Sequence, residues 1–112
     1  MKGANLGEFE ELLLLVVLIL KEDAYVNQIR EELKDQVNRS ISMGALHTTL
    51  SRLEKKGFLQ SEMAGATETR GGRRKRVYEL TVAGKSALVT ARDQRATLWE
   101  QIPAIDLKFF YG

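Results

Sequence analysis

The sequence of 112 residues contains no cysteine, one proline and one histidine. Without cysteine the chain cannot form a disulfide, a thiolate nucleophile or a thiolate metal site, and its composition is compatible with a reducing cytoplasm, where we expect the protein. The single histidine, His47, cannot supply a multi-histidine metal site within one chain. No pair of nucleophile and base stands out. We therefore expect no metal, no cofactor and no enzymatic activity.

Long hydrophobic runs are also missing. The longest run, Leu12 to Leu20, has nine residues, whereas a membrane span needs roughly twenty. It follows three glutamates and precedes no cleavage-like site, so we expect neither a membrane span nor a secretory signal. The run predicts a buried helix that begins at a capping box of Asn5 and Glu8. Because apolar side chains cover nearly its whole circumference, the helix needs cover from the domain's own core or from a partner chain.

Positive charge is concentrated in one short stretch. Five of the seventeen basic residues lie in it, namely Arg70, Arg73, Arg74, Lys75 and Arg76. The rest of the chain holds twelve basic residues against fifteen acidic ones. Clustered Arg and Lys release counterions from phosphates, so this stretch, hinged by Gly71 and Gly72, predicts contact with a polyanion. The alternative is a solvated loop that keeps the chain soluble.

Two further helices are predicted before this stretch. Apolar residues recur at helical spacing from Val26 to Val37, after a candidate cap at Asp23. A turn at residues 38–40 and a very short strand at Ile41 follow. The third helix is predicted from Met43 to Lys56, with Ser42 as its cap.

The third helix has two distinct sides. Leu46, Leu50 and Leu53 fall within roughly 60° of one another and are predicted to face the core. The opposite side is small, hydroxylated and cationic, with Gly44, Thr48, Ser51, Arg52 and Lys55. Gly57 is predicted to end the helix, because glycine adopts the left-handed conformation at little cost.

A β-hairpin and a last helix complete the predicted elements. Strands at Phe58–Met63 and Arg74–Leu80 are joined by a turn at Ala64–Gly72, with Tyr78 and Leu80 in the core at the base of the hairpin. Thr81 caps a helix that continues to about Gln101. Its sparse apolar stripe consists of Leu88, Ala91, Leu98, Trp99 and Ile102. Such a stripe suits packing on the first helix or on a second subunit, and we expect the apolar tail to dock as well.

The order of these elements predicts a mainly α fold with a small β-hairpin: a winged helix-turn-helix domain in residues 1–82 and a C-terminal dimerisation helix and tail in residues 83–112. In this arrangement the third helix enters the major groove of double-stranded DNA and the hairpin contacts the flanking backbone. We predict DNA contacts from Ser42, the polar side of the third helix and the basic stretch.

Two of the predicted DNA-contacting residues have alternative roles. His47 lies roughly 100° from the leucine stripe, where it is either simply exposed or close to a phosphate. Arg52 either contacts DNA or pairs with a carboxylate, such as Glu54 or one in the second helix. The sequence leaves both alternatives open.

Two motifs carry a resemblance to a known family. The first is Gly44-Ala-Leu46-His-Thr-Thr-Leu50-Ser-Arg52-Leu53-Glu54-Lys-Lys-Gly57-Phe-Leu59, and the second is Gly72-Arg-Arg-Lys-Arg-Val-Tyr78-Glu-Leu80-Thr81-Val-Ala-Gly84. In order and separation they resemble the PadR-like transcriptional regulators, over roughly Leu12 to Leu88. Two departures are His47, where the family usually has tyrosine, and Thr48, where it usually has proline. They concern sequence preference rather than fold.

The resemblance implies a homodimer, joined largely through the C-terminal and first helices, that binds a pseudo-palindromic operator as a repressor. It also implies a small planar aromatic effector as a candidate ligand at the dimer interface, beside a tryptophan. Trp99 lies on the matching helix, but a lone tryptophan on a helical stripe is more often part of an interface core than a ligand platform.

The competing function is a winged-helix module that binds another protein instead of DNA. Such a module would place apolar anchors on the outer side of the third helix. That side carries Thr48, Ser51, Arg52 and Lys55 instead, which favours DNA.

Overall fold

The computed structural model describes residues 5–64 and 75–108, and it confirms the predicted fold class. The described chain contains α1 (Glu8–Leu20), α2 (Val26–Val37), α3 (Met43–Lys55), β1 (Leu59–Met63), β2 (Arg76–Leu80) and α4 (Val82–Trp99). Short 3-10 segments lie at Lys21–Asp23 and Ala104–Leu107. Within the described ranges, every helix is too short or too polar to cross a lipid bilayer.

Two of the predicted helix caps are confirmed. The Ser42 hydroxyl accepts a hydrogen bond from the Ala45 amide at 3.1 Å at the start of α3. At the start of α4 the Thr81 hydroxyl accepts from the Gly84 amide at 3.0 Å. Both hydroxyls satisfy a first-turn amide that has no partner inside the helix.

The other two predicted caps are wrong. Helix α1 begins after Gly7, whose amide donates to a Glu10 carboxylate oxygen at 2.8 Å, and not at a box of Asn5 and Glu8. Helix α2 begins after Tyr25 instead of at Asp23. In the second case the cause is tertiary, because Tyr25 forms a backbone bridge with β2 and helical geometry starts only beyond it.

The ends of the elements differ from the predictions by a few residues. Gly57 ends α3 with a φ of +84°, as predicted, and α4 ends at Trp99, two residues earlier than expected. The very short strand predicted at Ile41 does not form. The Ile41 carbonyl instead accepts a hydrogen bond from Arg30 Nε at 2.8 Å, so the α2–α3 connection is held by a side chain and not by a sheet.

The core lies between the first three helices and the base of the hairpin. The leucine stripe of α3 is completely buried, as predicted, and so are the inner sides of α1 and α2; the residues with no exposed area are Leu13, Leu14, Ala24, Ile29, Leu33, Leu46, Leu50 and Leu53. Tyr78 and Leu80 are also buried, which confirms their predicted place. The polar side of α3 is consequently left on the surface.

The hairpin, which we call the wing, is antiparallel, and its described pairs run from Leu59 opposite Leu80 to Met63 opposite Arg76. The base of β2 also pairs with the segment before α2, because the Tyr78 amide donates to the Ala24 carbonyl at 3.0 Å. The wing is therefore attached to the helical body on the side of β2 that β1 leaves open.

Helix α1 is buried on one side only. Leu13, Leu14 and Val17 lie in the core, whereas Leu15, Leu18 and Ile19 remain 41%, 39% and 55% exposed. The chain's own core thus supplies part of the cover that this apolar helix was predicted to need, and an apolar strip of α1 remains uncovered within the monomer.

Candidate nucleic-acid interface

Helix α3 places its predicted contact residues together on the surface. All of them are exposed, together with the capping Ser42: Gly44, His47, Thr48, Ser51, Arg52 and Lys55. Thr48, Ser51, Arg52, Lys55 and Gly44 lie opposite the buried leucines, as the helical spacing predicts, and His47 lies at the edge of this side. An exposed helix side of hydroxyls and cations can hydrogen-bond base edges and attract phosphates at the same time. His47 is exposed, and its contact with a phosphate stays a prediction.

Arg52 makes an ion pair at the edge of this surface. Its Nε atom lies 3.1 Å from Oε2 of Glu10 on α1. The partner is therefore neither Glu54 nor a carboxylate of α2, which were the partners considered from the sequence. Glu54 is engaged elsewhere, since it accepts a hydrogen bond from the Ser61 hydroxyl at 2.6 Å.

Glu10 is the buried centre of a small charge cluster. Its carboxylate also accepts from Lys56 Nζ, which lies 2.9 Å from each of its oxygens. Burial raises the pKa of Glu10, but hydrogen bonds from the Gly7 amide, Lys56 and Arg52 outweigh it, so the pKa is lower than usual. Glu10, and not Glu8, folds back on the start of α1 because it is the third residue of a helix that begins after Gly7.

The neighbouring glutamates of α1 bind two other elements. Glu8 accepts from Arg39 in the α2–α3 connection at 2.7 Å, and the Arg39 guanidinium lies 5.4 Å from the centre of the Phe9 ring. The hydrogen bond with Arg39 lowers the pKa of Glu8. Glu11 accepts from Arg95 on α4 at 2.8 Å. The first turn of α1 thus connects the helix-turn-helix with the C-terminal helix.

Two cations of the wing, Lys75 and Arg76, lie among the residues that the structure describes. Lys75 lies 5.2 Å above the centre of the Tyr25 ring, a cation–π distance that holds it against the body. Arg76 is exposed and donates from Nη1 to the Ser61 hydroxyl at 3.0 Å. The predicted contacts Arg70, Arg73 and Arg74 lie outside the described residues.

The predicted dimer residues on α4 divide into two groups. Leu88 is buried in the core of this chain and Ala91 is half-buried. Leu98, Trp99 and Ile102 are 66%, 57% and 46% exposed. With Leu107 they line an open apolar groove of about 290 Å³. The exposed part of the stripe is thus confined to the C-terminal end of α4 and the residues after it.

Sequence reasoning missed the residues that support the interface from behind. In the sequence Glu10 is only one of three acidic residues before an apolar run, and no local pattern marks Lys56 or Ser61. Glu10 and Arg52 are far apart in sequence, so no local spacing could pair them. The available signal was weak: an acidic residue among apolar neighbours needs a cationic partner when it is buried.

Comparison with known proteins identifies similar chains. The model of the Transcriptional regulator PadR-like family matches residues 14–90. A PadR-like transcription factor from Bacteroides fragilis has 28% identity and a TM-score of 0.66, over 82% of this chain and 84% of that one. A PadR family regulator from Clostridium difficile has 24% identity and a TM-score of 0.65, over 93% and 99%. A regulator from Clostridium thermocellum has 22% identity and a TM-score of 0.55, over 90% and 89%. No curated protein matches this chain.

Proposed function

Because this chain belongs to the PadR-like family of transcriptional regulators, we propose that it is a sequence-specific repressor that binds a pseudo-palindromic operator as a homodimer. The family consists of DNA-binding regulators and not of enzymes. The observation that carries the proposal is the exposed polar side of α3, which lies opposite a fully buried leucine stripe. We call α3 the recognition helix from here on.

The recognition helix supports sequence selectivity. Thr48 and Ser51 are exposed one helical turn apart, with hydroxyls that can donate to or accept from base edges. Lys55 adds a charge on the same side. His47 and Thr48 stand where the family usually has tyrosine and proline, so we expect this chain to prefer an operator of its own.

The wing supports affinity without much selectivity. Arg76 is exposed, and Arg70, Arg73, Arg74 and Lys75 lie within the six positions before it, so several cations follow one another along the chain there. Arginine contacts with phosphate hold a protein on DNA of any sequence. We propose that the wing contacts the backbone beside the groove occupied by the recognition helix.

A homodimer would cover the apolar surfaces that the monomer leaves open. Large apolar side chains are grouped in the uncovered strip of α1 and at the exposed end of α4, with Trp99, instead of being scattered singly over the surface. A twofold axis would repeat both surfaces and set two recognition helices roughly 34 Å apart, one turn of DNA. The groove at Trp99 is the candidate place for a planar aromatic effector. A regulator of this kind works where the DNA is, so a cytoplasmic location is part of the proposal.

Binding to duplex DNA over a salt series tests the proposal. An operator would be selected from a random-sequence pool, and its affinity compared with that of a scrambled duplex by fluorescence anisotropy. We expect tighter binding to the selected sequence and a linear fall of log affinity with log salt. In a dimer, Arg76→Gln should lower that slope by roughly two, since each subunit loses one phosphate contact.

Arg92→Gln is the matched control for the wing variant. It removes the same charge from an exposed site on α4, where Arg92 pairs only loosely with Asp93 at 3.5 Å. We expect its salt slope to equal that of the unchanged protein. Equal affinity for selected and scrambled duplexes would contradict sequence specificity, and the absence of any salt-dependent binding would favour the protein-interaction alternative.

A further inference from the structure

Arg52 uses one atom of its guanidinium for its ion pair. Nε lies 3.1 Å from Glu10, and within the described chain no hydrogen bond or ion pair involves the two terminal nitrogens. The side chain is 51% exposed. A guanidinium has five donors in a rigid fork, so one edge can be bonded while the other remains available to a second acceptor. Pairing with a carboxylate and contact with DNA are therefore compatible at this residue.

Glu10 holds this ion pair from a buried position. Its side chain is 8% exposed, whereas those of Arg52 and Lys56 are 51% and 32% exposed. When a carboxylate is buried, the loss of hydration offsets much of the attraction to its partners, so such a pair adds little net stability. The ion pair instead restricts geometry. A buried carboxylate with three donors around it has few alternative positions, and the guanidinium that is bonded to it is restricted in the same way.

The position of Arg52 on the recognition helix allows it to reach both Glu10 and DNA. At 100° per residue it lies roughly 40–60° from Thr48 and Lys55, on the border between the exposed polar side and the side that faces α1. Lys56 lies about 40° further toward α1 and binds both oxygens of Glu10. Lys56 thus contacts both carboxylate oxygens of Glu10, whereas Arg52 contacts one of them through Nε.

We propose that Glu10 is a positioning residue for DNA binding: by bonding Nε of Arg52 it orients the terminal guanidinium nitrogens toward a pair of acceptor atoms on the DNA. The inference rests on the proposed function. Two acceptors spaced for a guanidinium occur on a guanine edge and on a phosphate. Loss of affinity for the selected operator alone identifies the guanine, and an equal loss on scrambled duplex identifies the phosphate.

A double-mutant cycle tests the proposal. Operator affinity is measured for the unchanged protein, Glu10→Gln, Arg52→Gln and the double variant, at a temperature where melting curves show each to be folded. We expect Arg52→Gln to weaken binding roughly tenfold, as the loss of a bidentate contact does. Glu10→Gln should weaken it by a smaller factor, and the double variant should bind no more weakly than Arg52→Gln. Changes that multiply would overturn the proposal.

Glu8→Gln is the matched control. It removes the same charge from the same turn of α1 and breaks the pair with Arg39, but it leaves Arg52 untouched. We expect clearly tighter operator binding from Glu8→Gln than from Glu10→Gln. An equal loss in both variants would mean that the charge of the turn matters and the orientation of Arg52 does not, which would overturn the proposal.

Arg52→Lys supplies an arm that leaves Glu10 unchanged. Lysine keeps the charge but has one nitrogen, which cannot hold Glu10 and reach two DNA acceptors in the geometry of a fork. We expect it to bind clearly more weakly than the unchanged protein, though less weakly than Arg52→Gln because the charge is kept. Binding like that of the unchanged protein would overturn the proposal. If the unchanged protein binds the selected operator and the cycle shows no coupling, the proposed function stands and this inference alone fails. If it binds no duplex at all, both fail together.

Discussion

Ser61 on β1 donates its hydroxyl hydrogen to Glu54 on the recognition helix at 2.6 Å. The same hydroxyl oxygen accepts from Arg76 Nη1 on β2 at 3.0 Å. One small side chain therefore joins the recognition helix to a cation of the wing. The charge of Glu54 acts on the wing base as well, because burial and this carboxylate together raise the pKa of Tyr78.

Ser61→Ala should release this connection. We expect a loss of about 1 kcal/mol in the free energy of unfolding, because Glu54 loses a donor in a half-buried place. Arg76 also loses its fixed partner, so DNA affinity should fall slightly. Chemical denaturation measures the first effect, with Ser86→Ala at an exposed site of α4 as the control. A Ser61→Ala protein as stable as this control would show that the hydrogen bond adds nothing.

The two sides of the recognition helix should respond differently to truncation. Leu50 has no exposed area, so Leu50→Ala should lower the free energy of unfolding by roughly 2–5 kcal/mol through the cavity that it leaves. Thr48→Ala and Ser51→Ala should change operator preference with little effect on stability. Thermal melts and selection from a random-sequence DNA pool measure the two effects. A large loss of melting temperature in Thr48→Ala would contradict the assignment of the sides.

Gly84 allows α4 to begin directly against the wing. A Cβ atom built there would lie 2.2 Å from the Phe58 carbonyl oxygen, which accepts from the Thr81 amide at 3.1 Å. Since the obstacle is backbone, Gly84→Ala should push α4 away and destabilise the fold by roughly 1–3 kcal/mol. Gly44→Ala is the control, because a Cβ there meets nothing within 4 Å. Equal stability of both variants in denaturant would show that α4 shifts freely.

Trp99 should contribute to association of two chains. It is 57% exposed within the monomer, at the end of α4. Trp99→Ala should shift the protein toward monomer and weaken association by more than about 2 kcal/mol if it is a hot spot. Sedimentation over a concentration series measures this, with Thr90→Ala on the same helix as the control. A protein that stays monomeric at concentrations on the order of tens of micromolar would contradict the homodimer.

The charge cluster around Glu10 should make stability depend on acid pH. The pKa of Glu10 is held below its usual value of 4.5, so the folded state binds its proton less readily than the unfolded state does. This contribution to stability is complete above the unfolded pKa and is lost as the pH falls through the folded pKa. The free energy of unfolding should thus decrease below about pH 4.5, and less steeply in Glu10→Gln. Identical pH profiles would contradict this account.

The elements of the fold could be predicted because their signals are local. The leucine stripe of α3, the caps at Ser42 and Thr81 and the stop at Gly57 each depend on residues within one or two helical turns. Spacing along a single helix also separates the exposed polar side from the core without knowledge of the rest of the chain. The predicted interface on α3 used only that information.

The support of the interface could not be predicted, because it joins residues of different elements, whether distant in sequence, as Glu10 and Arg52 are, or only seven residues apart, as Glu54 and Ser61 are. Whether Glu10 meets Arg52, or Glu54 meets Ser61, depends on how α1, α3 and the wing pack, and many carboxylates compete for each cation. The starts predicted for α1 and α2 are wrong for a similar reason, because contacts with other elements accompany both observed starts. Glu10 pairs with Arg52 on α3, and Tyr25 pairs through its backbone with Val77 on β2.

The backbone pairing of Ala24 with Tyr78 has a consequence for the order of folding events. It brings together opposite halves of the sequence, so its formation closes a long loop and contributes nothing until most of the chain is collapsed. We expect the three N-terminal helices to form local contacts early, with the Ala24 carbonyl hydrogen-bonded only to water until β2 is in place. We therefore expect the helices and the wing to complete their structure in the same late step, so that a chain with a folded body and an unformed hairpin base would be unstable.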